Sequence, residues 1–186
     1  MGSHPGNHDP IPSLPDLCAA RYKTTPPPEI TPLTTPANPI LATLLQHRTI
    51  RTFHTTPLPP RTLPTLLASA QSTSTPSMLQ TYSILSLESP TQKAVVASLS
   101  GNQPFPTQAP LFFLLFCADL SHMSNLATKA DSANSKALAN LDMFLTATID
   151  ASLAAQNAAI AAEALGLGMC LWRGMMGFWG GIISGI

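Results

Sequence analysis

Apolar and polar positions along the chain follow two periods. Pro39-Ile40-Leu41-Ala42-Thr43-Leu44-Leu45-Gln46 has helical spacing, with Asn38 as N-cap and Pro39 at the first helical position. A second helix is predicted over about 60–70, with Leu63, Leu66 and Leu67 on one face. Pro64 falls in its first turn, where a missing N–H does little harm. Ser83-Ile84-Leu85-Ser86-Leu87 predicts a strand, and 90–99 a helix with Val95, Val96 and Leu99 inward. The continuous apolar run 110–117, bounded by Pro110 and Asp119, has the length of a strand buried on both faces. Helical spacing returns from about 136 to 165 in an alanine-rich segment. After Lys136 only Asp142, Asp150 and Glu163 carry charge there, so a largely buried helix is expected. Gly166-Leu167-Gly168 ends it, and Met169-Cys170-Leu171-Trp172 predicts one more short strand.

Both ends break this pattern. Ten of the nineteen prolines fall in residues 1–40, and Pro26-Pro27-Pro28 reads as polyproline II, so 1–38 is expected to be a mostly disordered arm. Residues 174–186 carry no charged side chain and are rich in glycine. Their shortness and glycine spacing argue against a membrane-spanning helix. The organisation expected is an arm (1–38), one folded domain (39–174) and an apolar tail (175–186).

The 186 residues suit a single domain. Nine Lys and Arg balance nine Asp and Glu, which argues against nucleic acid as a partner, because phosphate binding needs a basic surplus. Only 10% of residues are charged, against about 25% in an ordinary domain. So little charge predicts surface hidden against a partner. Three widely spaced cysteines show neither a disulfide scaffold nor zinc spacing and suggest a reducing compartment. The first thirty residues lack the apolar core of a secretory signal. A mitochondrial presequence is only weakly supported there, since Arg21 and Lys23 face Asp9, Asp16 and Glu29. The compartment expected is the cytoplasm, with a mitochondrial address left open.

The sharpest candidate chemistry is His47-Arg48-Thr49-Ile50-Arg51. Two arginines, a hydroxyl and a histidine fall within five residues of a chain with nine basic groups. Guanidinium binds phosphate oxygens in pairs, so a phosphate site is one reading. A helix end whose cations offset the helix dipole is the other. Gln71-Ser72-Thr73-Ser74-Thr75-Pro76-Ser77 is a hydroxyl-rich loop that either holds the polar edge of a ligand or simply turns the chain. Gln103, in the turn Gly101-Asn102-Gln103-Pro104, is a weaker candidate for pairing with a heterocycle. His4, His8 and Asp9 lie in the arm, where ligands are not preorganised for a metal. Gly166-x-Gly168 lacks the third glycine of a dinucleotide fingerprint, and Cys117 and Cys170 read as core. An anion site without acid–base machinery suits a protein whose cofactor does the chemistry.

These residues resemble a family. His47-Arg48-Thr49-Ile50-Arg51-Thr52-Phe53 is similar to the opening motif of the FMN-dependent nitroreductases, of the larger nitroreductase/flavin reductase branch. The pieces that follow keep the family's order: a Pro-led helix, a hydroxyl loop closed by Gln80, the strand at Ser83, the turn at 100–103, and Gln108-Ala109-Pro110 before the strand ending Cys117-Ala118-Asp119. The longest match begins Asp150-Ala151-Ser152-Leu153-Ala154-Ala155-Gln156-Asn157 and runs to the glycines at 166 and 168. Arg173 stands where the family has glycine, and the family continues beyond the point where this chain stops, so a C-terminal truncation is expected.

The resemblance implies an α+β fold: a mixed sheet flanked by helices, with a long central helix at a homodimer interface. It implies FMN as cofactor and NAD(P)H as co-substrate. Arg48 and Thr49, with His47 beside them, would hold the FMN phosphate, and Arg51 the ribityl chain and ring edge. Ser74, Thr75 and Ser77 would line the flavin, Gln103 would bond its pyrimidine edge, and Leu171, Trp172 and Gly174 would stack against it. The activity implied is ping-pong hydride transfer from NAD(P)H through flavin to a small nitroaromatic, quinone or flavin acceptor, with neither nucleic acid nor membrane as partner. The alternative is a catalytically impaired flavin-binding or interaction protein.

Overall fold

The computed structural model describes residues 11–25, 38–54, 58–99, 101–102, 104–108, 112–130, 133–173 and 179–185. The chain divides into two compact units, Met1–His47 and Arg48–Ile186.

The first unit holds helices α1 (Leu14–Tyr22) and α2 (Pro39–Gln46). α1 lies inside the proline-rich arm and corrects the reading of that stretch as disordered. Its causes are local. The Ser13 hydroxyl accepts the Asp16 N–H, a proline sits in the first turn, and Lys23 closes the helix at φ 57° with its N–H on the Ala19 carbonyl. Leu17 and Cys18 are its buried residues. Residues 1–10 and 26–37 of the arm lie outside the described residues. α2 has the predicted bounds, and Asn38 Oδ1 accepts the Ile40 N–H at 2.9 Å. Arg21 donates to the His47 carbonyl and so ties α1 to the end of α2.

The second unit contains α3 (Thr62–Gln71), β1 (Tyr82–Leu87), α4 (Pro90–Leu99), α5 (Phe105–Gln108), β2 (Phe112–Ala118), α6 (Ser121–Lys129), α7 (Leu141–Ala164), β3 (Leu167–Arg173) and β4 (Trp179–Gly185). The sheet order is β1-β2-β4-β3, and each neighbouring pair is antiparallel. A parallel bridge from Thr49 to Met169 adds a further piece of chain at the β3 edge. The α+β class holds, and this bridge is the parallel component among the described residues. Trp179–Gly185, which composition sets apart as a tail, pairs on both sides and lies inside the sheet. Uncharged chain with β-branched Ile182 and Ile183 is what an interior strand requires.

α7 packs on one face of the sheet. Its buried face is almost all alanine: Ala147, Ala151, Ala154, Ala155, Ala158, Ala159 and Ala162. Small side chains let the helix approach both the sheet and α3. Leu66 and Ala70 of α3, Leu114 and Phe116 of β2, and Leu167 and Met169 of β3 complete this core. On the other face Cys170 packs with Phe53, Leu87, Val96 and Leu115. That face corrects the α4 reading. Lys93 and Ala97 are the buried residues of α4, while Val95 and Leu99 are 53% and 50% exposed. The sequence offers α4 two apolar stripes, and the sheet takes the one containing Val96. Gly166, at φ 74°, makes the sharp turn from α7 into β3 that a residue with a Cβ would enter only under strain.

Candidate functional site

Strand registers fix where the candidate residues lie along the sheet. Tyr82 pairs with Ala118, Phe116 with Trp179, and Trp179 with Arg173. The start of β1 and the finish of β3 therefore share an end. They are three strand spacings apart, about 14 Å.

At the β3 edge Thr49 bridges Met169, and the Ile50 N–H donates to the Met169 carbonyl at 2.9 Å. The pairing is parallel, so the Arg48-Thr49-Ile50-Arg51 run advances alongside β3 toward the shared end. Arg51 stands two residues beyond Thr49, as Leu171 stands two beyond Met169. The Arg48 N–H donates to Glu163 Oε1 at 3.4 Å, a long bond to the last turn of α7. Arg48, Thr49 and Arg51 are exposed, and Leu171 is half-buried against the α7 core.

The hydroxyl loop enters the same end from the β1 side. It leaves α3 through N–H bonds from Ser72 to Ala68 and from Thr73 to Ala70. A 3-10 turn at Pro76–Met78 follows, closed by Met78 N–H on the Thr75 carbonyl at 3.1 Å and Leu79 N–H on the Pro76 carbonyl at 3.2 Å. Ser77, Met78 and Gln80 all have φ between 51° and 54°, none of them glycine. Each such residue costs about 1–2 kcal/mol, so the loop persists only because its surroundings hold it. Ser74 and Ser77 are exposed and Thr75 is half-buried.

What holds the far end of the loop is a buried group. Asp150, 0% exposed, accepts the Thr81 N–H at 2.9 Å and the Thr81 hydroxyl at 2.8 Å, both on Oδ2. Thr81 is 1% exposed, and its carbonyl accepts the Asp119 N–H at 2.9 Å. Hydrogen bonds to a charged group contribute about 1.5–3 kcal/mol each, enough to offset the loop's backbone strain. Beside this junction the Ser83 hydroxyl donates to Asp119 Oδ2 and the Ser121 N–H to Oδ1, capping the first turn of α6. Ser83 and then Ser121 hold the Asp119 carboxyl below the usual carboxylate range. Burial, followed by the Asp150 charge, raises the Tyr82 phenol.

Ser74, Thr75 and Ser77 thus lie in the loop before the start of β1, at the shared end, whereas Thr49 is level with Met169 near the start of β3, Arg48 lies toward the last turn of α7, and Arg51 and Leu171 stand farther along the β3 edge. His47 belongs to the first unit. Trp172 is placed by its backbone in β3, and Gln103 and Gly174 lie outside the described residues. Sequence reasoning missed Thr81 and Asp150. The available signal was helical spacing: Asp150, Ala154, Ala158 and Ala162 recur every fourth residue, which sets the carboxylate on the buried face. No group of three or more metal-ligating side chains occurs among the described residues. A cleft of about 620 Å³ along α3 is lined by Arg61, Pro64, Thr65, Ala68, Ser69 and Ser72, none of them predicted site residues.

The Nitroreductase family profile matches residues 44–178. A Bacillus subtilis protein named FMN reductase (NADPH) is 43% identical over 138 residues, covering 74% of this chain and 55% of its own length. An oxygen-insensitive NADPH nitroreductase of Salmonella typhimurium is 32% identical over 131 residues, covering 70% and 52%. The solved structure of the NfrA1 nitroreductase from B. subtilis superposes with a TM-score of 0.74 at 36% identity, covering 78% of this chain and 66% of that one. The chain spans about half the length of the curated relatives it matches. By profile, by sequence identity and by fold, the chain belongs to the nitroreductase family.

Proposed function

We propose that this chain binds FMN along the β3 edge of the sheet and serves an NAD(P)H-dependent oxidoreductase acting on small-molecule acceptors. The observation that supports this reading is the Thr49–Met169 pairing, which runs the segment carrying Arg48 and Arg51 along the β3 edge toward Leu171. The donor set fits FMN: guanidiniums for a phosphate dianion, hydroxyls for polar ring atoms and an apolar strand residue for the ring.

Arg48 and Thr49 hold the phosphate. Arg51 lies closer to the ring and offers a fixed cation where negative charge collects on reduction. Ser74, Thr75 and Ser77 bond the polar edge, and Leu171 packs against the ring; Gln103, Trp172 and Gly174 belong to the same proposal. FMN supplies the two-electron chemistry, and the chain supplies binding, orientation and charge. NAD(P)H and the acceptor use one open site in turn, a ping-pong order. The relatives' names, FMN reductase (NADPH) and oxygen-insensitive NADPH nitroreductase, support flavins and nitroaromatics as acceptors, with quinones a third class.

The proposed assembly is a homodimer in the cytoplasm. Leu141, Phe144, Leu145, Ile149 and Leu153 form an exposed apolar stripe on α7 that a second copy would cover. No helix among the described residues is long and apolar enough to cross a membrane.

The test is the visible spectrum of protein purified with FMN and freed of excess. A flavin spectrum that NADPH bleaches without oxygen is the expected result. A folded sample retaining no flavin would overturn it in favour of an interaction protein without turnover.

A further inference from the structure

We infer that Asp150 is the positioning residue of the hydroxyl loop: through Thr81, its carboxylate fixes where Ser74, Thr75 and Ser77 stand. The consequence for a ligand rests on the flavin reading above, whereas the geometry does not.

Asp150 is the sole charged residue on the buried face of α7, among alanines that pack there without penalty. Burying a carboxylate is costly unless its hydrogen bonds repay the lost hydration. Both donors it meets belong to Thr81, and both use Oδ2, while Oδ1 is buried with no partner among the described residues. A carboxylate satisfied on one oxygen alone is a poor general fastener of helix to sheet. It is a specific one for Thr81, whose N–H, hydroxyl and carbonyl are all engaged, the last by Asp119. Thr81 is also the final residue before β1, directly after Gln80 at φ 51°. The α3 end of the loop is fixed by the Ser72 and Thr73 bonds. With the Thr81 end fixed as well, the left-handed residues between have one arrangement. Release of Thr81 would let Ser77, Met78 and Gln80 relax to ordinary backbone, and the hydroxyls would lose their positions.

The experiment compares Thr81→Val, Thr81→Ser, Asp150→Asn and Asp150→Ala with the wild type. Two quantities are read: FMN affinity by quenching of flavin fluorescence, and amide hydrogen exchange of 73–80 and 154–162 without flavin. Thr81→Val keeps the fold's apolar volume and removes one donor, so it remains informative if Asp150→Ala fails to fold. The expected result for Thr81→Val is about tenfold faster exchange in 73–80, unchanged exchange in 154–162 and about tenfold weaker FMN binding, the scale of one lost hydrogen bond to a charged group. Thr81→Ser restores the hydroxyl, and Asp150→Asn restores an acceptor oxygen; both should return close to wild type. Unchanged loop exchange in Thr81→Val overturns the inference, as does a rise shared equally by loop and helix. Faster loop exchange with unaltered FMN affinity overturns the positioning role. If the wild type takes up no FMN, the flavin reading fails by itself, and the exchange comparison still decides whether Asp150 holds the loop.

Discussion

Asp119 shows how one side chain ties several elements together. It ends β2, caps α6 through the Ser121 N–H, accepts from Ser83 in β1 and gives its own N–H to Thr81. Its folded carboxyl titrates below its unfolded value, about 3.9, because Ser83 and Ser121 donate to the charged form. The resulting stabilisation is complete above the unfolded value and is lost as pH falls through the folded one. Asp119→Asn should therefore flatten the acid limb of stability against pH, measured by urea unfolding from pH 6 down to pH 2, and an unchanged limb would remove the assigned role. Charge patterning alone does not reveal such a residue. Asp119 reads as the boundary of an apolar run, and Asp150 as an interruption of an alanine helix. Both serve through partners distant in sequence, and only the fold supplies those partners. The arginine run stands out in the sequence because residue type and adjacency define it without tertiary contacts.

At the scale of elements, periodicity located most of the elements that bury an apolar face. α2, α3, β1, α4, β2 and β3 stand close to where hydrophobic spacing puts them, because each contributes to a core on one or both sheet faces. α6 carries no such signal, since Ser121–Lys129 has no buried residue and its first N–H is met by the Asp119 carboxylate. β4 was missed since its glycines dilute the strand signal. α3 illustrates the legible class. Leu66 is 0% exposed between α3 and the alanines of α7, so Leu66→Ala should cost about 2–5 kcal/mol in chemical denaturation. The arginine segment behaves differently because it joins the sheet by few bonds. Ile50→Pro deletes the N–H that donates to Met169. It should leave the thermal midpoint within a few degrees of wild type while FMN retention falls sharply, and equal losses in both would show the segment to be structural rather than ligand-bearing.

For the whole molecule, the low charge content and the shape of α7 point the same way. One face of the helix disappears into the core through alanines, and the other leaves Leu141, Phe144, Leu145, Ile149 and Leu153 exposed at 41–70%. These positions follow the i, i+4 rows of a helix, so they form one continuous stripe rather than scattered apolar residues. With only 10% of residues charged, little else on the surface keeps such a stripe in water. A stable homodimer buries about 800 Å² per partner, and a second copy laid along α7 would take the stripe as its centre. Ile149→Glu introduces a charge in the middle of that stripe, at a half-exposed position about 100° round the helix from the buried Asp150. It should convert the proposed dimer to monomer in sedimentation velocity while leaving far-ultraviolet circular dichroism unchanged, because the buried alanines of α7 are untouched. Flavin retention separates two further cases: if FMN leaves with the partner, the FMN site is closed by the second copy, and if it stays, one chain suffices to hold it. A wild-type chain that sediments as a monomer at micromolar concentration would show that something other than a second copy covers the stripe.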